Sequence, residues 1–174
     1  MSTELVSATD PDWSREVRRP GEWAPSKSLL SSIRAYQRHA RATGPLRPIL
    51  RYWAVLRHRF WSVVAAADIP INTTLGGGLL MPHPNGIVIH PGVTIGPNCL
   101  IFQQVTIGAT RRGVPTIGGH VDFGAGAKIL GPVVVGDHCV IGANAVLLED
   151  LPTGSTAVGV PARRIDRARK AQNG

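Results

Sequence analysis

The sequence predicts a mainly β protein: a left-handed parallel β-helix of hexapeptide repeats, preceded by a short α-helical region. Three observations predict it. An aliphatic or Phe residue recurs every sixth position thirteen times, Gly follows it directly in seven cases, and a mostly small residue stands four positions after it. A period of six matches neither the 3.6-residue turn of an α-helix nor the two-residue alternation of an ordinary strand. It matches a short strand and a corner, repeated.

The recurring residues are Ile69, Leu75 and Met81. After a two-residue slip come Ile89, Ile95, Ile101 and Ile107, and after a four-residue insertion Ile117, Phe123, Ile129, Val135, Ile141 and Leu147. Each is expected to point inward, with Val93, Cys99, Val105, Val121, Ala127, Val133, Cys139 and Ala145 filling the rest of a narrow interior. Three hexads close one triangular coil of about 18 residues, and coils stack about 4.8 Å apart. Cys99 and Cys139 fall two coils apart on one face. Their Cα atoms are then about 9–10 Å apart, beyond the roughly 7 Å reach of a disulfide, so both read as small buried hydrophobes.

The other segments follow in order. Residues 1–25, rich in Pro, Trp and charge, are expected to form a loosely ordered arm. Residues 26–67 form the α-helical region, with helical spacing over 27–42 and 48–66 and Pro48 suited to a first turn. In the second helix Leu50, Trp53, Leu56, Phe60, Trp61 and Val64 make an apolar face, expected to pack on the β-helix end. The basic residues around it leave a membrane-surface role as the alternative. Residues 68–162 are the β-helix, and 163–174 a basic tail.

The net charge of +8 is unevenly spread over the 174 residues. Residues 1–68 hold 11 basic and 6 acidic side chains, 69–162 hold 3 and 4, and 163–174 hold 5 and 1. A nucleic-acid binder usually spreads cations across its folded body. Here the body is near neutral, which points to a few phosphates held locally and away from nucleic acid. No apolar run approaches the roughly 18 residues of a membrane span, so no integral membrane association is expected. The first twenty residues lack the apolar core of a secretion signal, so the cytoplasm is the expected location.

A regular stack of hexads has no pocket, so chemistry is expected where the repeat breaks. One break is the slip in MPHPNGIV, which contains His83; the other is the insertion RRGVP at 111–115. Counting from Met81 puts His83 in one column with Gln103, Ala125 and Ala143, each two residues after its own aliphatic. A histidine at the foot of an alanine-walled groove suits a thioester arm lying along the alanines. His120 and His138, 18 apart, stack as well, but no third ligand of suitable spacing accompanies them, and no metal is expected. His39 and His58 lie on the helices and read as solvated.

The hexapeptide repeat, the segment GGGLLMPHPNGIVIHPGVTIGPNCLIFQQVTIG, the stretch GAGAKILG and the ending AVGVPARRI together resemble the serine acetyltransferase family of left-handed β-helix acyltransferases, over roughly residues 65–165. The resemblance implies an acetyl-CoA-dependent O-acetyltransferase acting on L-serine or a related hydroxyl compound. It implies that His83 is the general base and Asp68, fifteen residues earlier, its partner. A carboxylate would orient the imidazole and stabilise its charged form while the other ring nitrogen takes a proton from a hydroxyl. For acetyl-CoA it implies Ala109, Ala125 and Ala143 along the pantetheine and Gly159, Pro161 and Arg163 beside the adenosine, with Arg164, Arg167, Arg169 and Lys170 as a grip for phosphates. Gln103, Arg111 and Arg112 are the candidates for holding the acceptor. A homotrimer with sites between neighbouring β-helices is also implied.

The departures bear on the acceptor. Serine-specific members have Asp directly before the catalytic His, where this chain has Pro82, and an Arg-His pair where it has Gly113-Val114. The HPNGIVI form also resembles relatives that acetylate sugars or polysaccharide precursors. The N-terminal region is shorter than the helical domain through which serine acetyltransferase trimers pair. A non-catalytic β-helix binding module is the reading from a different class, opposed by the retained Asp68, His83 and acetyl-CoA segments.

Overall fold

The computed structural model describes residues 6–41 and 43–165. A short 3₁₀ turn (Trp13–Glu16) is followed by two helices, α1 (Pro25–Arg41) and α2 (Arg47–Ala65). Thirteen short strands follow among the described residues. They are β1 (Thr74–Leu75), β2 (Val88–Ile89), β3 (Thr94–Ile95), β4 (Leu100–Ile101), β5 (Thr106–Gly108), β6 (Thr116–Ile117) and β7 (Asp122–Phe123). Then come β8 (Lys128–Leu130), β9 (Val134–Val135), β10 (Val140–Ile141), β11 (Val146–Leu147), β12 (Thr156–Val158) and β13 (Arg163–Ile165).

The strands make the three faces of a left-handed β-helix of about five turns. One face is ordered β1-β3-β6-β9, the second β4-β7-β10-β12-β13 and the third β2-β5-β8-β11. Every neighbouring pair is parallel except β12 and β13, which run antiparallel. All thirteen recurring aliphatic or Phe residues are buried, none more than 7% exposed, and the eight small residues four places on are at most 2% exposed. The interior is therefore the dry column that the period of six requires.

Two columns of corners use left-handed backbone. One holds Ala66, Gly86, Gln104, Gly126 and Asn144, the other Gly78, Asn98, His120, His138 and Gly154, all at positive φ. Asn leads the non-glycine residues in tolerating this region. Gly96 has a different reason for lacking a side chain: a Cβ there would strike the backbone of Gly118 in the next coil.

Three expectations about the N-terminal region are corrected. Residues 6–24 are not a loose arm but lie against the Asn98 corner. Asn98 Oδ1 accepts from Asp12 N (2.8 Å), Asn98 Nδ2 donates to Ser7 O and Asp10 O (both 2.8 Å), and Arg15 donates to Asn98 O (2.6 Å). One buried amide thus meets the needs of three backbone groups of the arm. Helix α1 closes the open end of the β-helix. It buries Leu29, Leu30 and Ile33, and Arg34 donates to Leu75 O and Gly76 O (both 2.6 Å) while pairing with Glu16 at 2.8 Å.

Helix α2 turns the expected face outward. Its buried residues are Ala54 and Ala65, while Trp53 and Phe60 are each 58% exposed and Leu50 41%. Helix α2 lies along α1, where Arg51 donates to Tyr36 Oη (2.8 Å) and stacks over its ring. Of the expected face, Trp61 alone packs against the core. His58, expected to be solvated, meets Ile69 O at 2.8 Å through Nε2.

Candidate active site

The slip around His83 is resolved by backbone hydrogen bonds. Leu80 N donates to Cys99 O and Ile101 N to Leu80 O, so Leu80 is in register with Leu100. Past the slip, Gln104 N donates to Asn85 O, so Asn85, not His83, stacks beneath Gln103. The two extra residues are therefore taken up between Pro82 and Asn85. The column expected to start at His83 runs Asn85, Gln103, Ala125, Ala143, continued by Gly126 N to Gln103 O and Asn144 N to Ala125 O. His83 stands out from the stack on this bulge, exposed.

Asp68 borders the same turn from the coil beneath. Ile87 N donates to Pro84 O (3.2 Å), and Ile87 O accepts from Asp68 N (2.8 Å). Asp68 pairs with Val88, and its side chain is exposed beside the buried Ile69. Asp68 thus bonds through its backbone to the turn that follows His83, and the two side chains make no hydrogen bond to each other within the single chain.

Above them, Gln103 Oε1 is buried without a hydrogen-bond partner. Ala125 and Ala143 follow, and the column is topped by the Gly159–Ala162 turn. That turn is fastened to β11 by Val146 N to Gly159 O (3.0 Å) and Ala162 N to Val146 O (2.7 Å). Gly159 is left-handed (φ 97°), and the Val160–Pro161 bond is cis. Arg163 begins β13 and pairs with Glu149 at 3.2 Å, both side chains well exposed. Arg164 lies in β13 as well; Arg167, Arg169 and Lys170 of the expected phosphate grip lie outside the described residues.

Ala109, Arg111 and Arg112 are not part of this corner. They sit across the β2-β5-β8-β11 face, on the insertion. There Thr110 N donates to Gly113 O (2.9 Å), Gly113 N donates to Thr110 O (3.2 Å), and Thr110 Oγ1 accepts from Arg112 N (3.2 Å). Gly113 has a φ of 145°, and an added Cβ would press on Pro132, so this hairpin selects glycine. A groove of about 490 Å³ runs beside it, lined by Thr110, Arg111, Arg112, Pro132 and Asp150 among others.

Three groups not singled out by sequence reasoning also shape the site. Thr110 closes the insertion. Lys128 Nζ donates to Gln104 O (2.6 Å) on the corner beside Gln103. The slot of about 240 Å³ lined by Arg15, Glu22, Trp23, Lys27, Pro82 and Pro84 abuts both neighbours of His83. Its arm residues carry no repeat, so only the folded chain places them there.

His120 and His138 do stack. Their Nδ1 atoms are 2.7 Å apart, so one ring donates to the other. Among the described residues no cluster of three or more His, Cys, Asp or Glu could hold a metal. Cys99 and Cys139 are unpaired and buried, and burial pushes the Cys99 thiol up to about 12 and raises that of Cys139.

Known proteins give a consistent picture. The family "Bacterial transferase hexapeptide (six repeats)" matches residues 115–149. A serine acetyltransferase of Helicobacter pylori strain J99 is 44% identical over 110 residues, 61% of this chain and 64% of that one. A solved serine acetyltransferase in complex with CoA superposes with a TM-score of 0.68 at 34% identity, covering 82% of this chain and 58% of that one. The soybean serine acetyltransferase apoenzyme does so with a TM-score of 0.61 at 34% identity, covering 79% of this chain and 69% of that one. The chain spans somewhat under two thirds of the Helicobacter relative it matches. With its thirteen inward positions, its bulged His83 and this likeness in sequence and structure, the chain belongs to the serine acetyltransferase-like family of hexapeptide-repeat acyltransferases.

Proposed function

We propose that the protein is an acetyl-CoA-dependent O-acetyltransferase that uses His83 as general base on the hydroxyl of a small acceptor. The observation that carries this is the corner column of Gln103, Ala125 and Ala143 beneath the Gly159–Ala162 turn, beside a bulge that holds His83 clear of the stack. The column fits a pantetheine arm. Its alanine walls leave room at the surface, and Gln103 Oε1 is a buried acceptor awaiting an N–H, which the arm's amides carry. Acetyl-CoA bound there supplies an acetyl thioester activated towards attack by oxygen. His83 removes the acceptor's hydroxyl proton as that oxygen attacks, and delivers it to the departing sulfur. Asp68, bonded through its backbone to the turn that follows His83, favours the imidazolium once it forms.

The active unit is a homotrimer. One chain carries the His83 corner and the Arg111–Arg112 groove on opposite edges of a face, so a complete site needs the insertion of a neighbouring copy. Arg111 and Arg112 then contribute to acceptor binding from across the boundary, with Ala109 beside the pantetheine. Gly159, Pro161 and Arg163 border the adenosine.

L-serine or a related hydroxyl compound is the acceptor by family likeness. A sugar or polysaccharide-precursor acceptor is the second reading, favoured by Pro82 and by the glycine that the Thr110–Gly113 hairpin selects. Thiol release from acetyl-CoA, measured across L-serine, homoserine and a sugar panel, separates the two. Failure of every acceptor, together with no rise in melting temperature at saturating acetyl-CoA, would mean that the reading is wrong.

A further inference from the structure

Helix α2 presents an apolar stripe to solvent. At about 100° per residue, Ile49, Tyr52, Trp53, Leu56, Phe60 and Val63 fall in one sector about 100° wide, opposite the buried Ala54 and Ala65. Ile49 is 54% exposed, Tyr52 61% and Val63 81%. The stripe runs about 21 Å along the helix, with the exposed Arg57 and Arg59 on its two flanks. A surface like this on a soluble chain marks a docking site.

The charge around it selects the occupant. From residue 23 to residue 67 the sequence holds eight Lys or Arg and neither Asp nor Glu. A second copy docking through the same face would set cations against cations with no carboxylate to pair them. Outside 23–67 the sequence holds eleven acidic and eleven basic side chains, so the rest of a second copy has no net negative charge to meet this face. An anionic bilayer surface has what the face lacks. It offers phosphates for the arginines, and its headgroup boundary is where Trp and Tyr settle and where Phe, Ile and Val leave water. The helix is not built to cross: among the described residues no helix is long and apolar enough to span a membrane.

We infer that α2 docks the protein flat on an anionic phospholipid surface, the stripe Ile49–Val63 in the headgroup boundary and Arg57 and Arg59 against lipid phosphates. The inference stands independently of which hydroxyl is acetylated. The test is co-sedimentation of the full chain with vesicles of phosphatidylcholine alone and with about one third phosphatidylglycerol. Binding is expected on the anionic vesicles, with a blue shift of tryptophan emission, and should fall steeply as salt rises. Arg57→Glu with Arg59→Glu leaves the stripe intact and should weaken binding at least about 30-fold. Phe60→Glu with Val63→Glu should abolish it without changing melting temperature or molar mass. Absence of binding to anionic vesicles overturns the inference. So does a fall in molar mass by light scattering in the Phe60/Val63 variant, which would give the face to a second copy.

Discussion

Pro82 and Pro84 constrain the backbone on either side of His83, and Pro84 disfavours helical dihedrals at His83 itself. The imidazole is therefore carried by a stiff bulge, not by a mobile loop, although its ring has no hydrogen-bond partner in the single chain. His83→Ala should lower kcat by roughly 10²–10⁴-fold and leave the KM for acetyl-CoA almost unchanged, as steady-state kinetics can check. Asp68→Asn should cost less, because Asp68 makes no bond to the ring that its loss would break. An equal loss in both variants would mean that the dyad closes on assembly. Cys99 gives a prediction about pH. Its thiol titrates near 12 in the folded chain against an ordinary 9.0, because burial disfavours the thiolate. Folding thus favours the protonated form. The corresponding stability is whole below about pH 9 and is lost as pH climbs towards 12. Cys99→Ala should flatten that alkaline fall in a series of denaturant titrations, and iodoacetamide should label Cys99 only once the chain unfolds.

At the scale of elements, the β-helix was legible because its interior is so narrow. Thirteen inward positions admit little but an aliphatic or a Phe, and the spacing writes itself into the sequence. What the period does not record is where extra residues are absorbed. Counting from Met81 puts His83 under Gln103, whereas the Gln104–Asn85 hydrogen bond absorbs the slip at His83 and Pro84. The faces of α2 are not legible for a different reason. Its large apolar residues span most of the helix, and the residues it buries are the small ones, Ala54 and Ala65, which carry little weight in a count of hydrophobicity. The arm is not legible because its anchors, Asn98 at a left-handed corner, Arg34 on α1 and the backbone of Leu79, lie far away in the sequence and carry no signal in the arm itself. Asn98→Ala would strip the arm of its acceptor and two donors' worth of contacts. It should lower stability by about 1–3 kcal/mol and expose the bonds around Trp13 to protease, measurable by denaturant titration and limited proteolysis. Gly119→Ala should loosen the same arm from outside, since a Cβ there would strike Ala8 O.

Across the whole molecule, the two halves of the candidate site lie on separate edges of one prism. If each site is completed by a neighbour, two inactive variants can rescue each other. His83→Ala and a variant with both Arg111 and Arg112 changed to Ala, unfolded together and refolded as mixed assemblies, should regain part of the activity that neither has alone. Lack of rescue would assign each site to a single chain.

The antiparallel seam between β12 and β13 reaches further than local pairing. A parallel β-helix is open at both ends, and each open coil is a template onto which another coil, including one from another molecule, can add. At the start of the stack, Arg34 occupies the carbonyls of Leu75 and Gly76, and α1 covers the interior. At the far end, Thr156 faces Ile165 and Val158 faces Arg163, a strand of reversed polarity with all three residues exposed and two of them arginines. A reversed, charged strand is a poor start for another parallel coil, so the pair of ends acts as a stop on filament growth. Removing residues 163–174 should therefore leave a protein that still folds but lengthens end to end, with light scattering that rises with concentration and with fibres where the intact chain stays at a fixed mass.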